Sequence, residues 1–206
     1  MIRFNKLMMA VVMLFLLSIL GCGEFTGPGS NDVEYTGMFL SITNLTPKEH
    51  GSATHDVDIY SHICTPATAT VPAKYEEMFD ETMAITFSYA NAPSCAGRTC
   101  AALYLKSYTA TFASVAPLAI PIDPVSALIN GQILPGKSLT LDGLKLLPLY
   151  LKVQYLERGG EDNVLFNNNI EIEYEVRVTV KAVTEYGENV EVTSYTYILL
   201  ADFDYC

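Results

Sequence analysis

Three histidines fall within thirteen residues, His50, His55 and His62, with Glu49, Asp56 and Asp58 among them. Imidazole and carboxylate are the ligands of zinc, copper and nickel, so this is the segment where metal chemistry could be built. If Asp56–Tyr60 is a strand, its period of two puts Asp56, Asp58, Tyr60 and His62 on one face and His55 on the other. His50 falls in the preceding Gly/Ser-bearing loop. Spacing alone therefore does not make the set converge, and solvated polar side chains along a loop and a strand edge account for it equally well.

A second oxygen-rich stretch, Glu157-Arg158-Gly159-Gly160-Glu161-Asp162-Asn163, reads as an acidic loop, with Asp202 and Asp204 near the C-terminus. Calcium takes six to eight oxygens from such loops, but the twelve-residue EF-hand order is missing. Other chemistry is not marked. There is no Gly-x-Ser-x-Gly and no phosphate-cradling glycine motif, and no serine is set beside the histidines. The acids on the alternating segments fall mostly on the polar face, so no carboxylate pair for glycoside chemistry stands out. The reading is a non-enzyme with no cofactor.

Five cysteines remain to be placed. Cys95 and Cys100 flank Ala96-Gly97-Arg98-Thr99 and are easily bridged across that short loop. That leaves Cys64 with Cys206, a long-range clasp, although the other two pairings stay open. The set lacks C-x-x-C spacing, which disfavours a zinc site. The fifth cysteine, Cys22, stands apart. Arg3 and Lys6 precede an apolar run from Leu7 to Leu20, and Gly21 stands directly before Cys22. That order is the layout of a secretory signal peptide. The run is about 14 residues, short of the ~20 that span a bilayer.

Leu20-Gly21-Cys22 with its preceding residues resembles the lipobox of bacterial lipoproteins. The resemblance implies cleavage after residue 21, lipidation of Cys22, and a stable membrane tether through two or three acyl chains. It also implies a place in the cell envelope outside the cytoplasm. Gly23, standing where an Asp would favour retention at the inner membrane of a Gram-negative cell, points to the outer membrane. An oxidising compartment suits two disulfides among the four remaining cysteines.

The first 21 residues carry two basic side chains and no acid, so their loss takes the net charge from −11 to −13. Such a surface repels phosphate backbones, which excludes nucleic acid as a partner. Residues 22–36 are rich in Gly, polar and acidic side chains and read as a flexible tether with a reach of roughly 20 Å. Residues 37–206 form one domain of ordinary size.

From Met38 onward the apolar period is two. In Ile170–Lys181 the even positions are apolar and the odd ones charged or hydroxylic, a strand with one wet face. Tyr186-Gly187-Glu188-Asn189 then reads as a turn and Val190–Phe203 as the returning strand. Further strands are read at Met38–Ile42, Asp56–Tyr60, Met83–Tyr89 and Ala102–Phe112, with Leu139–Leu141 and Leu147–Leu156 as another pair. Lys74–Glu81 reads as a turn of helix. Pro117, Pro121, Pro124 and Pro135 make residues 117–135 an edge or a crossover loop. Thirteen tyrosines and no tryptophan suit a β protein. Among them Tyr104, Tyr108, Tyr174, Tyr195 and Tyr197 offer either sheet packing or a binding face.

These features predict an all-β, antiparallel β-sandwich, with an open jelly roll or barrel as the second architecture. The strand pattern resembles immunoglobulin-like and fibronectin type III-like domains, without the core Trp or the Cys…Trp…Cys spacing of true immunoglobulin domains. The functional expectation is a lipid-anchored scaffold presenting this domain to an envelope protein or glycan. A metal- or ligand-binding accessory domain on His50–His62 is the competing reading. When the full chain is expressed in a bacterial host with labelled palmitate, Cys22 is expected to carry the label. Cys22→Ser abolishes it, and persistent labelling of that variant would rule out the lipobox.

Overall fold

The computed structural model describes residues 30–33, 38–60, 63–91, 101–114, 116, 119–159, 171–201 and 203. The signal segment, Cys22, His62, Cys95, Cys100, Asp202, Asp204 and Cys206 lie outside these residues. Two sheets pack face to face over a shared apolar core, the all-β sandwich that the alternation predicts.

The first sheet runs β1 (Ser30–Val33), β2 (Met38–Glu49), β7 (Glu81–Asn91), β10 (Ser138–Leu147), with β3 (Ser52–Ala53) paired to β2. The second runs β4 (Asp56–Asp58), β12 (Asn189–Ala201), β11 (Ile172–Thr184), β8 (Leu103–Ala113), β9 (Val125–Ile133). A small ribbon pairs β5 (Ile63–Thr65) with β6 (Lys74–Tyr75). One helix, α1 (Leu149–Gly159), follows β10.

The hairpin β11–β12 forms the middle of the second sheet. Its register runs from Ile172 opposite Leu200 to Val183 opposite Asn189. Tyr174, Val176, Val178 and Val180 face inward, as their even phase requires, and Glu173, Glu175 and Lys181 face water. From the other sheet Leu40, Ile85 and Phe87 close the core. Three core tyrosines donate their hydroxyls to backbone carbonyls: Tyr89 to Ala101 at 2.8 Å, Tyr108 to Lys145 at 2.6 Å and Tyr174 to Ile120 at 2.7 Å. Tyr108 and Tyr174 are thus core residues rather than parts of a binding face, since a buried phenol is stable only with its O–H paired.

Several expectations are corrected. Leu147–Leu156 does not form a strand. Leu147 ends β10, Pro148 begins the turn, and Leu149–Gly159 is helical, burying Leu151, Lys152 and Tyr155 at i, i+1 and i+4. Leu139–Leu141 pairs instead with Phe87–Ile85 of β7. Lys74–Glu81 is extended rather than a helical turn: Lys74 and Tyr75 form β6, and Glu81 starts β7. Ser30–Val33, within the stretch read as tether, pairs with Ser41–Met38 of β2. The sandwich is also not wholly antiparallel, because β4 runs parallel to β12. The proline-rich stretch does supply an edge strand, β9, entered directly from Pro124.

Phe87 is fully buried between the sheets. Phe87→Ala should lower the unfolding free energy by about 3–5 kcal/mol in urea denaturation, while Lys181→Ala on the wet face changes it by less than ~0.5 kcal/mol. Equal effects of the two substitutions would contradict this packing.

Candidate functional site

The most unusual chemistry sits at one end of the sandwich, where five ionisable side chains are buried together: Glu49, Asp58, Glu76, Glu81 and Lys152. Local register explains each position. In β2, Leu40 and Ile42 face inward on even numbers. A bulge between Ile42 and Asn44 shifts the phase, so Pro47 and Glu49 turn inward on odd numbers. In β7 the inward phase is Glu81, Met83, Ile85, Phe87, Tyr89, and its first member is a carboxylate. Glu81 stands opposite Leu147, two residues before the helix.

The adjoining Asp80 fixes the helix start. Its Oδ1 accepts from Leu149 N at 2.8 Å, and its Oδ2 pairs with Lys145 Nζ at 2.7 Å. The Lys145 ammonium holds the Asp80 carboxyl below its usual range. Capping there orients the first turn, which carries Lys152 inward toward Glu81.

Lys152 Nζ donates to Glu81 Oε1 and to the backbone carbonyl of Asp58, the latter at 2.7 Å. Asp58 N donates to Glu49 Oε1 at 2.8 Å. Asp58 Oδ1 accepts from Tyr60 N and Phe203 N, both at 3.2 Å. The Glu49 carboxyl lies close to that of Glu81 and helps to raise it. Glu81 Oε2 is buried and meets no hydrogen-bond donor among the described residues.

Burial pushes the Glu81 carboxyl well above its usual range; the Lys152 ammonium opposes this and the Glu49 carboxyl adds to it. Burial likewise raises Asp58 to about 6, with Glu76 and Glu49 adding repulsion and the amides of Tyr60 and Phe203 pulling it back. One ammonium cannot balance four ionised carboxylates in a dry interior, so part of the cluster is protonated near neutrality. The arrangement offers an amine, a carboxyl acceptor and a second carboxyl able to pass a proton. Side-chain exposures of 1% for Lys152 and 2% for Glu81 close it to outside solutes.

The two described histidines, His50 and His55, are not part of it. His50 sits in the left-handed region at φ 48°, followed by Gly51 at 78°, in the two-residue turn that joins β2 to β3. Its ring packs edge-on against Phe79 at 4.6 Å. His55 Nδ1 lies 2.8 Å from the Tyr197 carbonyl, and its ring stacks on Tyr197 at 4.0 Å. Asp56 begins β4, its amide bound to Thr54 Oγ1. Of the expected ligands that are described, Glu49 and Asp58 enter the buried cluster. No three His, Cys, Asp or Glu among the described residues gather to hold a metal.

Glu157, Arg158 and Gly159 of the expected calcium loop form the last turn of α1, where Arg158 pairs with Asp123 at 2.6 Å. Residues 160–163 lie outside the described residues. Cys64, in β5, is disulfide-bonded. The other four cysteines lie outside the described residues, so its pairing stays an expectation.

Glu76, Glu81 and Lys152 were not singled out from the sequence, and Glu49 was named only as a possible ligand beside the histidines. The readable signals were a Glu in the apolar phase of an alternating strand and a Lys among Leu151 and Tyr155 at helical spacing.

Asp58 titrates higher in the folded than in the unfolded chain, so the fold binds the extra proton and is favoured at acid pH. As pH rises from 3.8 to about 6, that contribution is lost. Melting temperature should therefore fall across this window, and Asp58→Asn should flatten the fall. An unchanged slope in Asp58→Asn would show that Asp58 is not the titrating group.

No protein-family model matches the chain, and no curated protein or solved structure is found similar to it.

Proposed function

We propose that the chain is a lipid-anchored envelope protein, non-enzymatic, whose β-sandwich presents a recognition face to an envelope protein or glycan. In this reading the tether begins at Cys22 and the domain works outside the cytoplasm. The kinship with immunoglobulin-like and fibronectin type III-like domains belongs to the same reading. Domain size and two-layer packing support it, while parallel β4 and helix α1 are departures.

The observation that carries the proposal is the outer face of the second sheet. Tyr195 and Tyr197 are 52% and 43% exposed there, and His55 stacks on Tyr197. They stand opposite Arg177 and Glu175 in the register. Exposed aromatic rings opposite charges of both signs on a stiff sheet suit recognition, because Tyr gives up little conformational entropy and combines an apolar ring with a polar tip. The acidic cluster around Lys152 lies inside and is not part of this face.

The test uses the chain with Cys22→Ser, recovered in soluble form and exposed to solubilised envelope proteins and to insoluble envelope glycan. Capture or co-sedimentation by the unaltered face is expected. Tyr195→Ala with Tyr197→Ala should weaken it by about 2 kcal/mol, roughly thirty-fold. Absence of capture, or equal capture by the double variant, would remove this function.

A further inference from the structure

We infer that Lys152 and Glu81 condense to an amide, a covalent cross-link between helix α1 and strand β7, with Glu49 as the acid–base group. The inference is independent of the anchor and of the outer face.

Four features of the site converge on this chemistry. The amine and the carboxyl are in direct contact and almost wholly buried. Nζ is aimed by the Asp58 carbonyl, and Glu49 is aimed by the Asp58 amide, so one residue positions both the nucleophile and the proton carrier. The Glu49 carboxyl lies beside the carboxyl that would react, since both are anchored around Asp58 and Lys152. The surroundings are apolar: Met83 is the next inward residue of β7 after Glu81, Leu147 stands opposite Glu81, and Ile59 follows Asp58, all three fully buried. In such a setting the Glu81 carboxyl is pushed toward its neutral form, the acid that amide formation needs. Fixed contact replaces a bimolecular encounter, worth about 10⁵ M or more in effective concentration for well-oriented groups.

The step balances without an outside reagent. An ammonium proton passes to the Glu49–Glu81 carboxyl pair, leaving Lys152 neutral. The Nζ lone pair attacks Glu81 Cδ, and the Nζ–Cδ bond forms as one Cδ–O bond breaks. Glu49 protonates the departing oxygen and takes the remaining surplus proton from Nζ, so it ends unchanged. One water leaves, and nothing is oxidised or reduced. The product removes a buried cation and a buried anion together.

The full chain, purified, reduced, alkylated and digested with trypsin, provides the test. Cleavage around the two residues gives segments 75–98 and 146–158, with Lys152 an ordinary cleavage point inside the second. The expected product is these two segments joined, lighter by one water than their sum, uncut at Lys152, with fragment ions placing the bond at Glu81. Lys152→Arg should release them as separate peptides. Glu49→Gln should slow cross-linking by roughly 10²-fold. Free, separately recovered segments cut after Lys152 in the unaltered chain would overturn the cross-link, whatever the folding of the variants. Cross-linking of Glu49→Gln at the original rate would overturn the role of Glu49.

Discussion

A single buried ammonium organises one end of this molecule. Lys152 cannot leave water without partners, and those it takes come from elements far apart in sequence: the carboxylate that opens β7 and the carbonyl that ends β4. Asp58 passes the constraint on. Its amide holds the end of β2 through Glu49, and its carboxylate holds the backbone at Tyr60 and Phe203. The helix start, three strand ends and the segment after β12 are thereby tied to one charge. Removing the lysine alone would strand several carboxyls in an apolar interior, a far larger penalty than the net worth of the intact cluster.

The remaining packing is simpler. Alternation supplies two apolar sheet faces, and the core tyrosines bridge the space between them by donating to carbonyls of neighbouring elements. Tyr174 and Tyr155 meet edge-on at 6.2 Å, which fastens the middle of α1 to β11. The helix is therefore held by an ionic contact in its first turn, an aromatic one in the middle and the Arg158–Asp123 pair in its last.

The sequence makes the sheets legible and the cluster almost invisible, for one physical reason. Period-two patterning reports which face is apolar, so Ile172–Thr184 could be read residue by residue. Patterning treats a charge as a marker of solvent, however, and Glu81 and Lys152 break that rule. Glu49 is hidden by another device: the bulge after Ile42 exchanges inside for outside partway along β2. The helix was misread because Leu149–Leu156 is apolar enough for either element, and the decision rests on the Asp80 cap, which comes from a distant strand. Asp58 was marked as a ligand because it is an acid near histidines. It is instead a hub for backbone groups, something only the approach of Tyr60 and Phe203 reveals.

The short strand β1 has a mechanical consequence. It pairs antiparallel with the start of β2, Ser30 opposite Ser41 and Val33 opposite Met38. A pull applied ahead of Ser30, as the proposed lipid anchor would apply it, meets the ladder at its open end and opens one rung at a time. Each freed residue adds roughly 3.3 Å of reach. Under the proposed anchoring, β1 would peel before the far longer β2–β7 ladder is loaded. The strand would then be an extensible link between anchor and sandwich.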